Sequence, residues 1–116
     1  MLRAAFGMLL PRLEECRFCE RPLHGEPHDG NRLLTAAGVR WIDFEGSCRG
    51  PVEWDLTFLT EVERHVFGPI DDGLLALLST LNSAPVATWC WARARFAEMR
   101  WHGQRHLDLV QASLPD

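Results

Sequence analysis

Glu26, Asn31 and Asp43 are the side chains whose types and spacing suit one reaction. They fall in two polar stretches, His24-Gly25-Glu26-Pro27-His28-Asp29-Gly30-Asn31 and Ile42-Asp43-Phe44-Glu45, with a short apolar segment between them. The carboxylate of Glu26 can accept a proton. The oxygens of Asn31 and Asp43 are hard donors suited to a divalent cation such as Mg²⁺. A base for the nucleophile and a metal to neutralise phosphate charge are the minimum equipment for phosphoryl transfer.

These stretches meet only if the chain between them folds back. Arg32-Leu33-Leu34-Thr35 and Val39-Arg40-Trp41-Ile42 read as strands around Ala36-Ala37-Gly38, where Gly38 supplies the positive φ of a tight hairpin turn. Such a hairpin sets Asn31 beside Asp43. Glu45 falls on the same side if the backbone stays extended, reaching the metal through water or facing solvent. Pro22 and Leu23 lead, extended, into His24.

Gly50-Pro51 opens a helix, with Glu53 near its positive end. Asp55, Phe58, Leu59, Val62 and Val66 then keep one helical stripe as far as the break at Phe67-Gly68. A carboxylate on an apolar stripe needs donors, and the backbone N–H groups around His24 are the natural ones. The alternative is a first-turn Asp stabilised by the helix dipole.

The three motifs together, His24-Gly25-Glu26 with Asn31, Ile42-Asp43-Phe44-Glu45, and Gly50-Pro51-Val52-Glu53-Trp54-Asp55-Leu56, resemble the aminoglycoside phosphotransferase family, related in fold to choline kinases and protein kinases. The family pattern reads His-Gly-Asp-x-x-x-x-Asn, Ile-Asp-[Phe/Trp]-[Glu/Asp], then Gly-x-Pro-x-x-x-Asp-Leu, and the match covers residues 21 to 59. The resemblance implies an α+β, mainly helical fold: the C-terminal lobe of a kinase-like phosphotransferase, with a short β-hairpin carrying the catalytic and metal loops. It implies transfer of the γ-phosphate of ATP to a small-molecule hydroxyl. Glu26 would be the catalytic base, Asn31 and Asp43 the Mg²⁺ ligands, and His24 and Asp55 the residues that keep the loop in shape.

Two departures bear on activity. Glu26 stands where the family has Asp, and the extra methylene moves the carboxylate by about 1.5 Å. Misplacing a reacting group by ~1 Å can cost on the order of 10²-fold in rate. The chain also has no Lys, its 12 basic residues all being Arg, and no glycine-rich phosphate loop. Kinase-like enzymes bring both from an N-terminal lobe, whereas here the catalytic stretch begins as early as His24. Residues 1–116 are therefore expected to be a single partial domain without the ATP-clamping lobe. The competing expectation is a non-catalytic remnant or binding module of the same fold.

The rest of the chain narrows the class. A 47% hydrophobic content suits a globular protein, and a net charge of −4 argues against nucleic acid as a partner. No uninterrupted apolar run approaches the ~20 residues of a membrane helix, and the apolar opening at Leu2 to Leu10 is read as a core helix rather than a leader. Cys16, Cys19, Cys48 and Cys90 suit free thiols in the cytoplasm. Cys16 and Cys19 with His24 and His28 suggest zinc, but the gap between the pairs is too short for the usual finger.

Helices are expected over residues 3–19, in one or two pieces interrupted by Gly7 and Pro11, and along Leu74, Leu77, Leu78 and Leu81 after a cap at Asp71 or Asp72. A long helix from Pro85 to Trp101 is expected to bury its tryptophans, with the neighbouring arginines in ion pairs. Gly103 then loosens the chain before a final turn or two around Leu107 to Val110.

Overall fold

The shortest strands set the plan of the molecule. The computed structural model describes residues 1–115, and its elements in order are α1 (Leu2–Glu14), β1 (Arg21–Leu23), β2 (Arg32–Thr35), β3 (Gly38–Trp41), β4 (Cys48–Gly50), α2 (Val52–Leu56), α3 (Glu61–Arg64), α4 (Asp72–Ala92) and α5 (Ala97–Ala112). β2 and β3 form an antiparallel hairpin from Arg32 opposite Trp41 to Thr35 opposite Gly38. Gly38 has φ +98°, and the Thr35 hydroxyl braces the turn, donating to Gly38 O at 2.7 Å and accepting from Ala37 N–H at 3.2 Å. β1 and β4 pair antiparallel around that hairpin, Arg21 opposite Gly50 and Leu23 opposite Cys48. One ladder is thus nested inside the other.

The chain divides into two compact units: Arg17–Leu75, and Met1–Cys16 with the chain from Ala76 on. The first holds the four strands, α2 and α3, with Leu23 and Leu56 among its buried side chains. The second is helical and buries Ala5 and Leu9 of α1, Leu77 to Cys90 at intervals along α4, and Val110 of α5. The mainly helical α+β architecture expected from the sequence is the one observed.

Helix boundaries depart from the expectation in three places. The stripe from Asp55 to Val66 is not one helix: α2 ends at Leu56, and Val62 and Val66 are 79% and 82% exposed. A capping box restarts the chain, with the Thr60 hydroxyl accepting Glu63 N–H and the Glu63 carboxylate accepting Thr60 N–H. Two orphan donors satisfied reciprocally begin a helix more strongly than an apolar stripe continues one. Second, neither Gly7 nor Pro11 interrupts α1, and Pro85 lies inside α4. Buried Leu81, Ala84 and Ala87 flank Pro85, and their packing offsets one missing backbone bond.

Third, the break falls after Ala92 rather than before Pro85. Arg93 N–H and Ala94 N–H bond three residues back, to Cys90 O and Trp91 O, which tightens and ends α4; Phe96 is then extended. Gly103 does not loosen the chain. It is buried within α5, and a Cβ there would stand 3.0 Å from the Trp91 ring and 3.1 Å from Cys90 Cβ, so it permits close approach of α4 and α5. Among the described residues α4 is the one helix long and apolar enough to cross a membrane, and half of that stretch is buried inside the protein.

Gly7 and Gly103 make opposite predictions. Gly7 has nothing within 4 Å of an added Cβ, so Gly7→Ala gains helix propensity and stabilises by about 0.5–1 kcal/mol. Gly103→Ala drives a methyl into Trp91; overpacking of ~1–3 kcal/mol outweighs the propensity gain and leaves a net loss of about 1 kcal/mol. Urea denaturation of both variants checks the pair of signs.

Candidate active site

Two loops lie between the ladders: residues 24–31 join β1 to β2, and residues 42–47 join β3 to β4. Because β1 pairs with β4 and β2 with β3, each loop is pinned at both ends and the two run side by side. They touch at Gly25 and Gly46. Gly25 has φ +98°, and a Cβ on it would stand 2.2 Å from Gly46 O. Only glycine satisfies both the backbone angle and that approach.

α2 holds the first loop by its backbone. Asp55 Oδ2 accepts His24 N–H at 2.8 Å, and Oδ1 accepts Gly25 N–H at 3.0 Å. The neighbouring Trp54 donates its indole N–H to Gly25 O at 2.8 Å. Both backbone polar groups of Gly25 are therefore fixed by consecutive residues of one helix. Sequence reasoning passes over Trp54; the available signal is an indole beside the motif Asp, whose N–H needs an acceptor when half-buried.

The ring of His24 bridges the two loops. Its Nε2 lies 2.8 Å from Ile42 O, and its Nδ1 lies 3.3 Å from Glu26 N. A carbonyl only accepts and a backbone N–H only donates, so the neutral Nε2–H tautomer makes both bonds at once. Phe44 and Trp41 flank the ring, with centroids 4.6 Å and 5.5 Å away.

Asn31 is buried, 6% exposed, and its Nδ2 donates to Glu26 O at 2.9 Å. That bond leaves Oδ1 as the accepting end of the amide. Asn31 O accepts Ile42 N–H at 2.9 Å, one rung beyond the Arg32–Trp41 pair, so Asn31 lies opposite the residue before Asp43. Asp43, with φ 61° and ψ 66°, is the only non-glycine at positive φ among the described residues. That conformation costs ~1–3 kcal/mol and concentrates at functional sites. Glu26 is exposed, and its Cγ lies 3.9 Å from where a Cβ on Gly46 would stand, which directs it over the second loop. The structure thus brings the backbones bearing Glu26, Asn31 and Asp43 together.

Other candidates are placed differently. Residues Phe44–Gly46 form a 3₁₀ turn, so the extended alternation invoked for Glu45 does not apply, and Glu45 faces solvent. Glu53, expected only to complement the helix dipole, is more buried than Asp55; it accepts Asp71 N–H at 3.2 Å, while Asp71 caps α4 by accepting Leu74 N–H at 2.9 Å. Arg49 pairs with Glu20 at 3.4 Å on the surface. Arg32 joins the first loop to α3 through ion pairs with Asp29 and with Glu63, the latter at 3.1 Å. The Thr60 backbone and hydroxyl, and then Arg32, hold the Glu63 carboxyl below the usual range. No cluster of three or more His, Cys, Asp or Glu ligands occurs among the described residues, so Cys16, Cys19, His24 and His28 do not assemble a zinc set.

No protein-family model matches the chain, and no curated protein matches its sequence. Solved structures do. LicA in complex with AMP superposes with a TM-score of 0.73 at 18% identity, over 96% of this chain and 46% of that one. Choline kinase LicA from Streptococcus pneumoniae superposes with a TM-score of 0.71 at 19% identity, over 96% of this chain and 47% of that one. The chain therefore has the fold of part of a choline kinase and spans a little under half the length of these structures.

The hold of α2 on the loop predicts a local effect. Asp55→Asn replaces one accepting oxygen with an NH₂ facing a backbone donor, and the charge-assisted bonds are lost at a cost of about 1.5–3 kcal/mol. Hydrogen exchange at the His24 and Gly25 amides should accelerate on the order of 10-fold or more, with the Leu34–Val39 rung of the hairpin protected as before.

Proposed function

We propose that this chain is the catalytic- and metal-loop part of an ATP-dependent phosphotransferase that moves the γ-phosphate of ATP to a hydroxyl on a small molecule. The observation that carries the reading is the doubly pinned pair of loops, with Asn31 bonded to Glu26 and paired with the neighbour of Asp43. The fold shared with choline kinase LicA supports it, as does a solved LicA structure that contains AMP.

Glu26 lies exposed at the rim and accepts the proton of the attacking hydroxyl, or orients that hydroxyl. Asn31 and Asp43 are the residues that would hold Mg²⁺, which when bound neutralises the charge on the phosphates. The donor set fits that ion: Mg²⁺ is commonly bound by one or two protein oxygens, with phosphates and waters completing the shell. Asn31 has its amide turned by the Glu26 carbonyl, and Asp43 is held in a conformation that only its surroundings stabilise. His24 ties the two loops to each other, and Asp55 and Trp54 hold the first loop to α2. Charge stabilisation beside triphosphate is the main demand of this reaction, so positioning matters more than covalent chemistry.

A second reading, a non-catalytic remnant or binding module of the same fold, is favoured by Glu26 in place of Asp and by the absence of any Lys. Calorimetric titration separates the two. Mg-ATP should bind the chain, with binding abolished by EDTA and weakened about tenfold or more in Asp43→Asn, whose folding stays intact. No heat with Mg-ATP would favour the remnant. Where turnover is measurable, Glu26→Asp should raise it by an order of magnitude or more, and unchanged turnover would contradict Glu26 as a displaced base.

A further inference from the structure

The tryptophans near the end of α4 are not core residues. Trp89, Trp91 and Trp101 are 51%, 40% and 56% exposed, and Phe96 between them is 52% exposed. The arginines among them form none of the ion pairs observed among the described residues. Arg93 instead lies over Trp89 at 4.0 Å and Arg95 over Phe96 at 4.8 Å. Arg100 donates to Ala94 O at 2.5 Å and so ties the first turn of α5 to the link after α4. Trp91 lies against Gly103 of α5. The result is one continuous tip, from the end of α4 through residues 93–96 to the start of α5, with Glu98 its one acidic residue.

We propose that this tip docks on the surface of an anionic lipid bilayer. Aromatic side chains flanked by cations are the composition that settles at the boundary of headgroups and acyl chains. The guanidinium groups complement the negative charge of anionic headgroups, while Phe96 and the tryptophans supply apolar surface for shallow insertion. The arrangement of the aromatic rings, rather than charge, selects against the main alternative. A single-stranded nucleic acid needs free aromatic faces along an extended basic groove, whereas here Trp89 and Phe96 are already faced by arginines about a short link between two helices. The chain as a whole is acidic, with a net charge of −4, so this arginine-rich corner stands out against the rest of it. The proposal stands apart from the phosphotransferase reading and does not rest on it.

Vesicle co-sedimentation of the full chain tests it. Vesicles of phosphatidylcholine containing phosphatidylglycerol should bind the protein, pure phosphatidylcholine should bind it weakly, and high salt should weaken binding to the anionic vesicles toward that lower level. Each arginine near an anionic surface contributes roughly fivefold, so Arg93→Gln/Arg95→Gln should weaken binding by about 25-fold at low salt. Phe96→Ser should weaken it at low and high salt alike, because its part is apolar. Equal binding to both vesicle types, no vesicle binding, or an unaffected arginine variant would each overturn the proposal. Binding of a labelled single-stranded oligonucleotide without vesicle binding would assign the tip to nucleic acid instead.

Discussion

The geometry of the site depends on a carboxylate reaching out of a five-residue helix to two successive backbone amides. Without Asp55, the His24 and Gly25 N–H groups would need water or would turn elsewhere, and a loop containing two glycines and a proline has many other conformations open to it. Trp54 reinforces the hold from the opposite side of the Gly25 peptide. The price of this arrangement is a backbone that tolerates no side chain at Gly25, because Gly46 passes too close.

Two loops far apart in the sequence are made neighbours by nesting. The inner ladder sets the distance between their near ends and the outer ladder fixes their far ends, so neither loop can slide independently. His24 then links them through Nε2 to Ile42 O while its Nδ1 accepts Glu26 N–H within the first loop, which a single tautomer allows. Arg32 continues the bracing outward, to Asp29 on the loop and Glu63 on α3. The strain at Asp43 is understandable in this setting: a residue fixed from both sides can be kept in a left-handed conformation that it would otherwise leave.

Much of this was legible in the residues, and the failures have physical causes. The β2–β3 hairpin followed from two short strand-like runs around one glycine, and an acidic residue on an apolar stripe asked for donors. The β1–β4 ladder was not legible, since three-residue strands carry too little alternation to detect. Thr60-x-x-Glu63 was a visible capping box, yet the apolar stripe running through it suggested one helix. Pro85 suggested the opening of a helix and Gly103 a loosening of the chain, while packing around both outweighed their local preferences. The expected burial of Trp89 and Trp101 failed for a related reason: periodicity shows which residues share a face but not whether anything covers it.

The central claim is that Asn31 and Asp43 converge on one divalent cation beside Glu26. Nuclear magnetic resonance with substoichiometric Mn²⁺ reads this directly, because the paramagnetic ion broadens signals close to it. The Asn31 side-chain amide and the backbone amides of Asp43 and Phe44 should broaden first, and excess Mg²⁺ should restore them. Broadening centred on Glu14, Glu15 and Glu20, or spread evenly over the acidic surface, would contradict the account.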